Sequence, residues 1–288
     1  MPWGKWRRIS GINSNDTNNY MEAINEIMLI SARGTITAIM KTMGLALLCI
    51  VLTAAESQAV SKGEVSFPAA DGFSLKGTFY SAGKPGPGLL LLHQCNADRR
   101  LYDQLGTMLS TAGYNVLSFD FRGFGGSKGG EFTDFQKQRD KIVPKMPGDV
   151  DAAFAFLTKQ DSVNTNALGI VAGSCGVNQA IHAAQRHPTV RTMVLLSGGT
   201  DAEGEAFIKN SPKIPIFGVA SEEDKMPAES IKKIVGLSPS KVSQLQMLKD
   251  AGHAAFMFEK EPDLQADIVI WFRSNLAVGG YGLPPTIK

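Results

Sequence analysis

From Ser61 onward the chain alternates short apolar runs with amphipathic stretches, and this alternation restricts its fold more than any other feature. Residues 88–92 (GLLLL) form a continuous apolar run, as a strand covered on both faces requires. Residues 116–119, 168–171, 192–196, 214–220 and 243–248 repeat that character. Between them lie stretches with helical spacing: residues 101–112, stopped by Gly113, then 149–157, 176–186, 228–235 and 262–276. Near the start, residues 65–68 and 75–80 flank Asp71-Gly72, a hairpin-turn signal. Strands and helices in regular succession predict an α/β fold, a doubly wound, mostly parallel sheet of about eight strands flanked by helices. Ligands of such sheets bind beyond the carboxyl ends of the strands, which directs attention to the residues there.

One strand end stands out. Residues 168–177, LGIVAGSCGV, read as a buried strand, a tight turn carrying Ser174 and the start of a helix. This is the nucleophile-elbow arrangement, in which a strained turn exposes a serine hydroxyl and small flanking residues let strand and helix approach closely. The usual G-x-S-x-G appears here as A-G-S-C-G, with Ala172 in place of the first glycine. An acid and then a histidine are expected at later strand ends. Residues 214–220 run into Ser221, Glu222, Glu223 and Asp224, and residues 243–248 run into Asp250, Gly252 and His253. Of the four histidines, His182 and His187 fall on or at the end of the helix after the elbow, and His93 ends an earlier strand, so His253 is the expected base. Glu222, Glu223 and Asp201 compete with Asp224 for the acid, and Cys175 competes with Ser174 as nucleophile. Reading the elbow around Cys175 would put Val177 where a glycine belongs, which favours Ser174.

Charge and cysteine usage exclude other classes. The net charge is +2, with no basic face of the kind nucleic acid requires. No zinc-spaced Cys/His cluster, phosphate-binding loop or internal repeat is present in the sequence, so no metal or cofactor is expected. Residues 43–55, MGLALLCIVLTAA, follow Lys41 and precede Ser57, Gln58 and Ala59. A basic start, a short apolar core and small residues at the cleavage point read as a secretory signal peptide cut after Ala59, an uncleaved membrane anchor or a buried helix being the alternatives. The apolar run falls short of a bilayer span, and Cys49 lacks the small neighbour that lipid attachment needs. The expected organisation is an N-terminal extension over 1–39, which a start at Met40 or Met43 would remove, a signal peptide over 40–59, one catalytic domain over 60–277 and a tail over 278–288. Export to a periplasmic or extracellular compartment follows, with no stable membrane anchor after cleavage.

The chain resembles the α/β-hydrolase superfamily, and within it the compact dienelactone-hydrolase-like and esterase-like members. The resemblance covers about residues 65–276 and rests on LLLHQC (90–95), FDFRGFGGS (119–127), AGSCG (172–176), ASEEDKMP (220–227) and AGHAAF (251–256). It implies Ser174 as nucleophile, Asp224 as acid, standing 29 residues before His253, and His253 as base. It further implies an oxyanion hole made of the Cys95 and Cys175 backbone N–H groups. His93-Gln94 matches the family's His-Gly, with Gln94 a departure from glycine. In this fold the loop after the third strand faces the elbow, so Cys95 and Cys175 are either two buried thiols or a disulfide that an oxidising compartment would permit and whose reduction would affect activity. The function implied is hydrolysis of carboxylic esters or lactones of small molecules through an acyl-enzyme on Ser174. A peptidase or a catalytically silent ligand-binding scaffold of the same fold is the alternative. No large cap domain is expected, since only residues 198–212 separate two successive strands. The polar insertion over 131–147 either shades the pocket or is a solvated loop.

Overall fold

The computed structural model describes residues 59–277. The expected N-terminal extension, the signal peptide up to residue 58 and the C-terminal tail lie outside the described residues. Eight strands form a single sheet in the order β1-β2-β4-β3-β5-β6-β7-β8. They are β1 (Ser61–Pro68), β2 (Ser74–Ser81), β3 (Gly86–Leu92), β4 (Asn115–Phe119), β5 (Val163–Gly173), β6 (Val190–Leu196), β7 (Ile216–Ser221) and β8 (Gln244–Leu248). The hairpin β1/β2 and the pair β2/β4 are antiparallel, and every other pair is parallel. The doubly wound, mostly parallel sheet expected from the alternation is what forms.

The all-buried run of β3 divides between two cores because strand side chains alternate faces. Leu90 and Leu92 join Leu117, Phe119, Ile170 and Leu195 on one face, packed by α3 (Met146–Thr158), α4 (Cys175–Arg186) and α6 (Lys225–Leu237). Leu89 and Leu91 join Val116, Val171 and Val194 on the other, packed by α1 (Asp103–Thr111) and α8 (Asp263–Asn275). A four-residue α7 (Met257–Lys260) precedes α8.

Two segments differ from the sequence reading in form. Residues 131–147 are not an irregular loop but carry α2 (Phe135–Ile142), which buries Phe135 and Ile142 and runs through a 3-10 turn into α3. The short link between β6 and β7 holds α5 (Ala202–Lys209) and no cap domain.

The motif FDFRGFGGS fixes the ground on which α2 stands. The Asp120 carboxylate, fully buried, accepts from the N–H groups of Arg99 (2.8 Å) and Gly126 (2.7 Å) and pairs with the Arg99 guanidinium. Gly125 is at φ +42° with this carboxylate where a Cβ would go, so no side chain fits there. Arg122 is clamped by Asp149 and Asp71 and lies over the rings of Phe73 and Phe132, 4.9 and 5.0 Å away. Burial raises the Asp149 carboxyl, while the Arg122 hydrogen bond holds that of Asp71 down at about 2.

Candidate active site

The chain builds outward from β3 to β4 and then crosses to place β5 on the other side of β3. Loops leaving β3 and β5 therefore diverge, and the crevice between them at their carboxyl ends is where ligands of open α/β sheets bind. Cys95 and Ser174 stand at those two ends.

Ser174 sits between the last residue of β5 and the first of α4, at φ 50° and ψ −118°. That region is sparsely populated for any residue but glycine and costs on the order of 1–3 kcal/mol. Its backbone is pinned by Ser174 N–H donating to Leu196 O (2.9 Å) and Val177 N–H donating to Ser174 O (2.9 Å). Gly176 is required by space: a Cβ there would stand 2.9 Å from the carbonyl oxygen of Leu92. Ala172, wholly buried in the core, is accommodated at the position where the motif usually has glycine.

Asp224 follows β7 and His253 follows β8, and their side chains meet: Asp224 Oδ2 lies 2.6 Å from His253 Nδ1. With Nδ1–H donating to the carboxylate, Nε2 is left as the acceptor. His253 and Ser174 line one cavity of about 510 Å³, together with Cys95 and Cys175. The competing acids have other partners. Glu223 accepts from Ser221 Oγ (2.5 Å), Asp250 N–H (2.9 Å) and Gly252 N–H (2.8 Å), and these bonds, the Ser221 hydroxyl first, hold its carboxyl at about 2. Asp201 caps α5 through Gly204 N–H (2.9 Å) and pairs with His182. Glu222 is exposed. His187 pairs with Asp151 and stacks on Phe154.

The His253 loop is itself strained. Asp250 (φ 52°), Gly252 (φ 93°) and Ala254 (φ 51°) alternate in left-handed conformations around it. From the β7 side it is held by Glu223 and by Ser221 Oγ, which accepts from Ala251 N–H (2.9 Å). On the far side Gln94 Oε1 accepts from Ala255 N–H (3.0 Å), while Gln94 Nε2 donates to Asn96 Oδ1 (2.9 Å). Gln94 is wholly buried. The sequence reading treats it as a departure from glycine and misses this bridge; a long amide at a strand end was the one signal available.

His93, also fully buried, accepts at Nε2 from Phe121 N–H (3.1 Å), so Nδ1 carries the proton donated to Gln94 O (2.8 Å). Burial lowers its pKa, and the ring, packed on Phe121 and Phe124, ties the end of β3 to the end of β4.

Of the two expectations for the cysteines, the structure has the disulfide: Cys95 and Cys175 are bridged, with Cα atoms 5.8 Å apart. As the first residue of α4, Cys175 has an N–H with no intrahelical acceptor. Cys95 N–H donates to no backbone acceptor among the described residues. Beyond Cys95 and Asn96 a second cleft of about 820 Å³ opens toward residues 123–126, sharing Phe135 and Gln136 with the first. Thus α2 does shade the site.

Comparison with solved structures shows the same architecture in the dienelactone hydrolase of Anabaena variabilis (TM-score 0.62, 18% identity, 75% of this chain and 99% of that one). The esterase of Pyrococcus furiosus is also similar in fold (TM-score 0.58, 18% identity, 76% of this chain and 94% of that one). The chain has the α/β-hydrolase fold. Residues 83–209 match the family model described as serine aminopeptidase S33. That match includes Ser174 and Cys95 but ends short of Asp224 and His253, which the fold itself brings to the site. A thiohydrolase of Aspergillus aculeatus is 30% identical over 133 residues, 46% of this chain and 40% of that protein, so the chain spans well under half of that relative's length.

Proposed function

We propose that this α/β-hydrolase cleaves carboxylic esters through an acyl-enzyme on Ser174. The observation that carries the reading is the Asp224–His253 pair, bonded at 2.6 Å and sharing one cavity with a serine held in a strained turn. Serine is a weak nucleophile at its free pKa, so His253 Nε2 takes the Oγ proton as the oxygen attacks the acyl carbon. Asp224, on Nδ1, fixes the tautomer and stabilises the imidazolium. The oxyanion accepts from Cys95 N–H and Cys175 N–H. Collapse expels the alcohol, which takes the proton back from His253, and a water activated by the same histidine releases the acid.

Compact lactones suit the same chemistry. The names of the similar proteins add two linkages: thioesters, from the thiohydrolase, and peptides, from the aminopeptidase description. Thioester cleavage follows the same steps with a thiol in place of the alcohol as leaving group. We further propose that residues 60–277 act as an exported domain, a reading that the Cys95–Cys175 bridge supports because disulfides persist in oxidising compartments. N-terminal sequencing of secreted protein should begin after Ala59.

Labelling of the folded protein by a fluorophosphonate probe, followed by a panel of p-nitrophenyl esters, acyl thioesters and aminoacyl p-nitroanilides, tests the function. Wild type should be labelled and should turn over esters. Ser174→Ala should abolish labelling and lower turnover on the order of 10⁶-fold. Absence of labelling in folded wild type, or labelling that survives in Ser174→Ala, would overturn the reading.

A further inference from the structure

The wall of the Ser174 cavity is apolar at Phe135, Val143 and Met146, and besides Ser174 and His253 its polar side chains are Asn96, Gln136, Arg139, Asn178 and Gln179. Gln179 is only 7% exposed, yet its side chain makes no hydrogen bond to any described residue. Its amide atoms are not among the sealed, unpartnered atoms of the interior, so they open on the cavity that the residue lines. Asn178 also lines the cavity, and its Oδ1 is already taken by Thr200 Oγ1 (2.7 Å) and Asp201 N–H (3.2 Å), which leaves its Nδ2–H₂ free. Arg139, from α2, forms no salt bridge with any described residue. Asn178 and Gln179 lie three and four positions beyond Cys175 on α4, so both share the helix face on which the nucleophile's neighbour stands.

An amide this deeply buried has to be satisfied, by water in the free protein and by the ligand when the cavity is filled. A ligand that presents an oxygen there replaces the water bond for bond. A ligand that presents a methyl group strands the donor, and sites of this kind reject the analogue lacking the oxygen far more strongly than apolar pockets distinguish alkyl chains. The acyl or alcohol arm that enters the cavity therefore meets apolar walls along its length and donors at Gln179 and Asn178, with a cation at Arg139.

We infer that this cavity selects esters one arm of which carries a second oxygen acceptor, a keto or carboxylate group, over plain alkyl esters of the same length. The inference rests on the ester-hydrolase reading above and names the substrate class of that site. Gln179 serves either oxygen; Arg139 distinguishes the carboxylate.

The test is kcat/KM, followed by acid release, for ethyl pentanoate, ethyl 4-oxopentanoate and monoethyl glutarate, which vary the acyl arm, and for pentyl acetate and 4-oxopentyl acetate, which vary the alcohol arm. Wild type should prefer the oxygenated ester of at least one set by about 10-fold or more, expressed mainly in KM. Gln179→Leu, close in volume and without donors, should collapse that ratio. Gln179→Glu, which exchanges donors for acceptors, should turn the preference against monoethyl glutarate and serves if the leucine variant does not fold. Arg139→Gln should lower the ratio for monoethyl glutarate and leave that for the keto ester. Equal turnover of oxygenated and plain esters in both sets, or a preference that survives Gln179→Leu, overturns the inference while leaving the hydrolase intact. Failure of every ester together with failure of fluorophosphonate labelling removes the underlying reading instead.

Discussion

Gln94 accepts from Ala255 N–H and donates to Asn96, so one buried side chain joins the loop after β3 to the loop that presents His253. Truncation to alanine leaves Ala255 N–H unpaired in the interior, a loss of about 1–3 kcal/mol. Because Ala255 lies two residues beyond His253, that loss should fall on the placement of the imidazole. We expect Gln94→Ala to lower kcat about 10-fold with little change in KM, taking about 1.4 kcal/mol as a factor of ten. Gln94→Glu keeps the acceptor for Ala255 N–H, and Asn96 can turn its amide to donate, so most of kcat should return. Steady-state kinetics on both variants decides: equal losses in the two would show that the hydrogen bond does not position the base. Ser174, Asp224 and His253 are legible in the sequence because each ends a run recognisable as a strand. Gln94 is not, because its partner is 161 residues away and only the closed sheet brings them together.

At the scale of elements, the ends of β7 and β8 form one unit. Glu223, just after β7, gathers Asp250 N–H and Gly252 N–H from the strained loop after β8 and so sets the approach of His253. Its carboxyl is held from an ordinary 4.5 down to about 2, the Ser221 hydroxyl contributing most. A depressed carboxyl contributes stability fully above its unfolded pKa and loses that contribution as the pH falls through its folded one. The clasp is therefore intact above about pH 4.5 and released as the pH approaches 2. Glu223→Gln should melt below wild type at pH 7 and by the same margin at pH 5, and the gap should narrow as melting is repeated at pH 4 and 3. A gap constant with pH would mean that the carboxylate charge plays no part. Strands and long helices of this molecule are readable from apolar spacing alone. Helix α2 is not: only Phe135 and Ile142, two turns apart, are buried, and the polar side chains between them look like those of a solvated loop. Its role over the cavity depends on the Asp120 and Arg122 anchors, whose partners come from the turn after β3, the β1/β2 turn and α3.

Across the whole molecule, the Cys95–Cys175 bridge closes a loop with a sequence separation of 80 residues, and that loop contains β4, α1, α2, α3 and β5. The alternating sequence foretells the sheet but not that β3 and β5 become neighbours, and it is this crossing that brings the two cysteines together. In the chain-entropy account, a cross-link over such a loop stabilises the folded state by about 4.5 kcal/mol through restriction of the unfolded chain. For a domain of this size each kcal/mol corresponds to roughly 2–4 °C in Tm, so reduction should lower the midpoint by about 9–18 °C. Melting with and without dithiothreitol measures this, and Cys95→Ala/Cys175→Ala serves as the control: it should melt like the reduced protein and respond no further to the reductant. The bridge also joins the two residues whose N–H groups are proposed to meet the oxyanion, so on that reading the reduced protein assayed well below its new midpoint should retain less than full kcat. The loss should stay below the 10²- to 10³-fold that follows outright removal of one oxyanion donor, since both N–H groups remain and only their spacing is freed. Unchanged kcat in the reduced, folded protein would assign the bridge to stability alone, and unchanged Tm would mean that the sheet holds these two loops together without it.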